Sequence, residues 1–240
     1  MTRAMNSQKW ALFLKVNLGV FVLFILQGCN SSQKQDKEHL VFKYNEHSNI
    51  ATLDPAFARN PQTIWPSNQL FNGLVQLDDQ LNIQPDIAKS WHINDSTYTY
   101  TFTLRDDVYF HKNKVFKKDS TRSVVAQDFV YSFDRLLSTE LASPGSWVFN
   151  AVQRYHAAND STLVIQLNKP FPAFLGLLSM RYCSVVPKEA IAYYGNDFRS
   201  NPVGTGPFRF KFWEENVKLV LRKNPIYFEK DTQGNRLPYL

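Results

Sequence analysis

The chain has 240 residues, 44% hydrophobic and 15% aromatic, with only 9 glycines, so it can bury a sizeable core and is neither a disordered nor a collagen-like polymer. Lys and Arg number 27 against 21 Asp and Glu, a formal charge of +6, but no long basic block stands beside an aromatic platform, which argues against a nucleic-acid partner. Two cysteines, Cys29 and Cys183, are too few for a disulfide scaffold or a four-cysteine metal site.

The amino terminus reads as an address. Arg3, Lys9 and Lys15, with no acid among them, precede an apolar run from Val16 to Leu26, and these three cations are half of the net +6. The run is too short for a bilayer, which needs about 20 apolar residues, so a signal peptide over residues 1–28 is the reading rather than an anchor. Leu26-Gln27-Gly28-Cys29 resembles the lipobox of bacterial lipoproteins, which implies lipidation of Cys29 and attachment to the membrane through it. An ordinary thiol closing a hydrophobic helix is the plainer alternative. The charged start, the apolar core and the polar stretch Asn30–Glu38 favour lipidation, with residues 29–39 a flexible tether.

Along the rest of the chain, Leu40–Asn45 is β-rich and predicts a first, well-buried strand, and Thr52–Pro55 a turn. Ser67 and Gly73 mark the cap and stop of a short helix leading into Leu74–Leu77, and Asp78-Asp79 turns the chain. Pro85 stands at a helix start, which predicts a helix to Trp91. Thr97–Leu104 alternates threonine with large apolar residues and predicts a strand with one buried face. The basic stretch Val108–Arg122, with His111 and Arg122 at its two ends, reads as a solvated loop. Val124–Leu137 spaces its apolar residues as an amphipathic helix with Asp128, Asp134 and Arg135 toward water.

Ser161–Leu167 reads as a strand, Pro170–Met180 and Pro187–Tyr194 as proline-started helices, the second stopped by Gly195. Phe208–Trp213 and Val217–Leu221 form a hairpin around residues 214–216. Strands and helices intermix without a repeat, so the fold class is mixed α/β (α+β).

Chemistry is harder to find. His39, His47, His92, His111 and His156 make no close ligand pair, there is no Gly-x-Ser-x-Gly elbow, and Cys183 lacks catalytic-cysteine surroundings. Gly204-Thr205-Gly206-Pro207 has neither the third glycine of a dinucleotide loop nor the lysine of a P-loop. The residues therefore argue against an enzyme, and no catalytic residue, metal site or cofactor is expected.

Several segments together resemble the family 5 extracytoplasmic solute-binding proteins, the oligopeptide-, dipeptide- and nickel-binding components of ABC importers. They are Thr52–Pro55, Leu70–Leu74, Ile83–Trp91, Tyr98–Arg105, Val108–His111, Ala126–Leu136, Pro202–Phe208 and Leu221–Tyr227, in that order. The resemblance implies a type II periplasmic-binding-protein lobe, built from 40–73 and 173–240 with an α+β subdomain inserted over 74–172. In such a flytrap two lobes close on a peptide, holding its backbone by strand addition. The chain ends at Gly234–Leu240 where relatives continue, so the second lobe is expected to be missing here.

Carried over by position, Arg59, Asn60 and Pro61 match a ligand-contacting loop at the lobe interface, Trp147 lies close to an aromatic near the cleft, and Gly204, Thr205 and Gly206 match a cleft-facing hinge loop. A tight turn before a strand explains the glycines equally well. Val125 stands where relatives usually have threonine, which leaves Ser123 to cap the helix. The implied partners are a peptide ligand, an ABC permease in the inner membrane, and the membrane itself through Cys29. The chain would be a monomer in the extracytoplasmic space, without nucleic acid. Nickel complexes, haem or an oligosaccharide as ligand, or a surface scaffold with no transport role, are the competing readings.

Overall fold

The computed structural model describes residues 40–239 apart from 97 and 118–119. The chain divides into two units, Met1–Lys43 and Tyr44–Leu240. The expected signal peptide, the expected lipidation site Cys29 and the expected tether lie outside the described residues. Among those residues no helix is long and apolar enough to cross a membrane.

The strand expected at Leu40–Asn45 does not form: these residues join no ladder, and Leu40, Val41 and Phe42 are 62%, 66% and 63% exposed. A β-prone run becomes a strand only against another strand's peptide groups, and these residues pair with none.

A 3-10 turn, Pro55–Phe57, follows Asp54, whose carboxylate accepts from Ala56 N at 3.1 Å. Helix α1, Pro61–Leu70, then begins earlier than the Pro66 and Ser67 signals predict. Asn60 is its cap, accepting from Thr63 N at 3.1 Å while Thr63 Oγ1 accepts from Asn60 N, and Pro61 occupies the first helical position, where no N–H is needed. Ser67 instead lies inside the helix, its hydroxyl donating to Thr63 O at 2.6 Å, and α1 ends at Phe71 before Gly73 is reached.

Strands β1, Val75–Leu77, and β2, Ile83–Pro85, pair antiparallel around the Asp78 turn. The helix expected over Pro85–Trp91 is replaced by β3, Ala88–Asn94. Pro85 closes a strand rather than opening a helix, and Ile87 N and Ala88 N donate to Gly73 O and Leu74 O, which commits the backbone to an extended course. β3 continues into a four-stranded antiparallel sheet of order β3-β4-β6-β5, with β4 at Thr99–Leu104, β5 at Val152–Asn159 and β6 at Thr162–Leu167. The predicted alternation on β4 holds, with Tyr100, Phe102 and Leu104 buried, and Leu163, Ile165 and Leu167 of β6 extend the same apolar face.

Helix α2, Ala126–Leu137, covers that face with Phe129, Phe133 and Leu136, and Phe133 meets Tyr155 of β5 edge-on at 5.5 Å. Only Asp134 of its three polar residues points to water as expected. Asp128 is 4% exposed, and Arg135 turns inward to Asp54. Ser123 does not cap the helix; Asp128 Oδ2 reaches back to Val125 N at 3.0 Å.

The remaining elements are α3, Phe174–Leu178, shorter than Pro170–Met180, and α4, Lys188–Tyr194, stopped by Gly195 at φ 53° as predicted. β7, Phe208–Glu214, and β8, Lys218–Lys223, form the expected hairpin. The loop around His111 departs from the solvated reading: His111 is 3% exposed, and Arg122 forks between Asp128 and Glu189 through four bonds of 2.7–2.8 Å.

Candidate functional site

Helix α1 organises the predicted site residues into two groups at its opposite ends, roughly 15 Å apart for ten residues. At its start stand Arg59, Asn60 and Pro61. Arg59 and Pro61 are exposed, while the Asn60 side chain is spent on the helix cap.

Two ties hold this end in place. Arg135 donates to Asp54 Oδ1 at 3.0 Å and also to Oδ2, so a helix 81 residues away locks the 3-10 turn that leads into Arg59. Ser143 Oγ donates to Ala56 O at 2.6 Å and accepts from Gly145 N at 3.1 Å, which brings the 143–147 segment to the same place.

On that segment a second 3-10 turn, Ser146–Phe149, carries Trp147 with 45% of its surface exposed. Gly145 precedes it for a steric reason: a Cβ there would stand 2.3 Å from the Tyr182 ring, so only glycine lets that ring lie against the backbone. Tyr182, from a third 3-10 turn, Arg181–Cys183, is a member of this group that sequence reasoning missed. Burial raises its hydroxyl pKa and the Arg59 charge opposes the shift, so the guanidinium acts on the phenol. The exposed groups here are a cation and an indole, and the phenol is buried. The cation can pair with a carboxylate and the indole can cover an apolar group.

The second group lies at the other end of α1 and is not on the surface. Gly204, Thr205 and Gly206 are buried, Thr205 to 1% exposure, which corrects their reading as a cleft-facing loop. The close approach that the glycines permit is to α1 itself: an added Cβ would fall 2.0 Å from Leu70 O at Gly204 and 2.5 Å from Gln69 O at Gly206. Gly206 N donates to Leu70 O at 2.9 Å, and Asn224 Nδ2 and His111 Nε2 both reach Gly206 O at 3.0 Å.

The second group adjoins a buried polar hub. Asn72 Nδ2 donates to Asp86 Oδ1 at 2.9 Å and to the Tyr227 hydroxyl at 3.3 Å, and Thr205 Oγ1 donates to Asn72 Oδ1 at 3.1 Å. Asp86 Oδ2 accepts from Gly73 N at 3.0 Å. Desolvation pushes the Asp86 carboxyl up to about 7, against the pull of nearby Arg181. Each of the segments 70–74, 83–91, 202–208 and 221–227 contributes a side chain, so much of the motif set is one internal joint. Cys183 is buried, its thiol pushed up to about 12, and is no nucleophile at neutral pH. Among the described residues no three His, Cys, Asp or Glu side chains gather as metal ligands.

The mixed fold and this joint define part of a type II periplasmic-binding-protein fold, and comparison with known proteins agrees. The family model of bacterial extracellular solute-binding proteins, family 5 Middle, matches residues 82–240. The periplasmic oligopeptide-binding protein OppA of Salmonella typhimurium is 31% identical over 231 residues, 87% of this chain and 40% of its own. The probable deoxycholate-binding periplasmic protein YgiS of Escherichia coli is 30% identical over 206 residues, 78% of this chain and 37% of its own. The solved structure of the Helicobacter pylori periplasmic binding protein DppA in complex with the peptide STSA superposes with a TM-score of 0.68 at 29% identity, covering 76% of this chain and 39% of that one.

The chain belongs to the family 5 bacterial extracellular solute-binding proteins. It spans about two fifths of the length of these relatives.

Proposed function

We propose that the protein is the substrate-binding component of an ABC importer, held in the extracytoplasmic space by lipidated Cys29, and that its cargo is an oligopeptide or dipeptide. The observation that carries this reading is the likeness to the oligopeptide-binding protein over 87% of the chain, together with the exposed Arg59 and Trp147 on adjoining segments. In this reading Arg59 takes a carboxylate of the peptide and Trp147 covers an apolar side chain. Asn60 and Pro61 set the start of α1 from which Arg59 projects. The Gly204–Gly206 loop stands behind the contact surface as its hinge, and does not touch cargo.

The proposed organisation is one lobe from 40–73 and 173–240 with 74–172 inserted, and a permease in the inner membrane receives the cargo from a monomeric binder. The whole four-stranded sheet and α2 fall within 74–172, and the hub bond between Thr205 and Asn72 joins the segments 40–73 and 173–240 to each other, which supports the division.

The test is to purify the native protein from its own membrane, measure its mass, and identify by mass spectrometry what elutes on denaturation. Lipid mass on Cys29 and a mixture of short peptides are expected. Arg59→Ala with Trp147→Ala should empty the eluate while the fold persists. An eluate holding a bile acid, a nickel complex, haem or a sugar and no peptide overturns the cargo, and an unmodified Cys29 overturns the anchor.

A further inference from the structure

His111 is the one histidine among the described residues that is buried, and its backbone and both ring nitrogens meet the same three-residue loop. His111 N donates to Gly204 O at 2.7 Å. Gly204 N donates to His111 Nδ1 at 3.3 Å, and His111 Nε2 stands 3.0 Å from Gly206 O.

These contacts fix the tautomer. A nitrogen that accepts an N–H carries no proton, and a nitrogen facing a carbonyl must carry one, so the ring is neutral with its proton on Nε2. A proton added at Nδ1 would set two N–H groups head to head at Gly204.

We propose that His111 is the positioning residue of the Gly204–Gly206 loop: its neutral ring clasps both glycines, and double protonation of the ring opens the clasp and frees the loop from its seat on α1. The inference is independent of which cargo the protein takes.

The surroundings suit such a device. Gly204, Gly206 and Asn224 bring no titratable side chain, Arg209 of β7 contributes the charge that bears on the ring, and Lys112 beside it in sequence is exposed. Burial and Arg209 together hold the imidazole at about 4, so the clasp is closed at neutral pH and opens in acid. Gly206 N bonded to Leu70 O links the clasp to the end of α1, and Thr205 links it to the Asn72 hub. An opened clasp therefore loosens the hinge as a unit.

Nitrogen NMR of the His111 ring and hydrogen exchange at the Gly204 and Gly206 amides test this in the intact protein. The ring should show the Nε2–H tautomer at pH 7. Exchange at Gly204, corrected for its intrinsic pH dependence, should accelerate about tenfold or more as pH falls from 7 to 4. His111→Gln supplies a donor and an acceptor without a titration, so it should keep the protection and lose the acid response. His111→Phe should lose protection already at pH 7. An Nδ1–H tautomer in the unaltered protein, or an acid response unchanged in His111→Gln, overturns the proposal, and the first of these readings needs no variant to fold.

Discussion

Gly204→Ala adds one methyl group to a site with no room for it. The new Cβ would stand 2.0 Å from Leu70 O, 2.6 Å from Phe71 Cδ1 and 2.9 Å from Leu70 C, where ordinary contact begins at 3.4 Å. Relief needs a movement of about 1.4 Å between two pieces of backbone. Neither is free to make it, because Leu70 O is bonded to Gly206 N and the loop is bonded to His111 and Asn224.

Overpacking a core costs about 1–3 kcal/mol when side chains can yield, so rigid backbone on both sides places this variant at about 3 kcal/mol or above. Gly176→Ala is the matched comparison. Gly176 lies in α3 with nothing within 4 Å of the added atom and no left-handed backbone, so the same methyl should stabilise by about 0.5–1 kcal/mol. Both changes restrict the unfolded chain alike, and that contribution cancels between them. Urea unfolding of the two variants should separate them by about 3.5 kcal/mol or more. A Gly204→Ala protein within about 0.5 kcal/mol of the parent would refute the claim that this glycine is required by its packing.

Three further outcomes follow from the buried charges. Arg135→Ala leaves the Asp54 carboxylate, 4% exposed, without its cation and should cost about 3–5 kcal/mol in the same urea assay; a loss below 1 kcal/mol would mean the pair is not what anchors the turn before Arg59. Arg122→Lys keeps the charge but cannot fork to Asp128 and Glu189 at once, and a loss of about 2 kcal/mol is expected, with full stability counting against the bidentate geometry. Asp86 makes stability depend on pH: its folded carboxyl keeps a proton to about 7 and its unfolded one only to 3.8, so the folded state binds more protons in that window and stability falls as pH rises through it. Asp86→Asn should remove this slope, gaining on the parent by up to about 4 kcal/mol between pH 4 and pH 7, and parallel stability curves for the two proteins would exclude it.

What could be read from the sequence is what local pattern controls. β4 and β6 alternate cleanly because one face is buried and the other wet, and α4 is bracketed by Pro187 and Gly195. β5 escaped notice because it is an edge strand without a fully buried residue, so Val152–Asn159 shows no alternation. The start of α1 was hidden by Pro66, a breaker in isolation, whereas the Asn60–Thr63 reciprocal cap holds the helix through it. Arg59 and Trp147 came from the resemblance alone. Tyr182 had no local signal, since what places it is the missing side chain at Gly145. The burial of His111 and Arg122 is not legible in the segment because the lysines between them set its tone, while Gly206 and Glu189, which hold them, lie 95 and 67 residues away.

The hub around Asn72 also dictates when the protein can fold. Its bonds span 133 residues to Thr205 and 155 to Tyr227, and Leu53 N finds its acceptor only at Arg199. A chain delivered amino end first exposes Leu70, Phe71, Leu74 and Val75 until the segments around Thr205 and Tyr227, 133 and 155 residues beyond Asn72, have followed. Loop closure over such spans is slow, and the waiting chain is sticky. The same joint that ties residues 72, 86, 205 and 227 together keeps the travelling chain threadable until the last of those four has arrived.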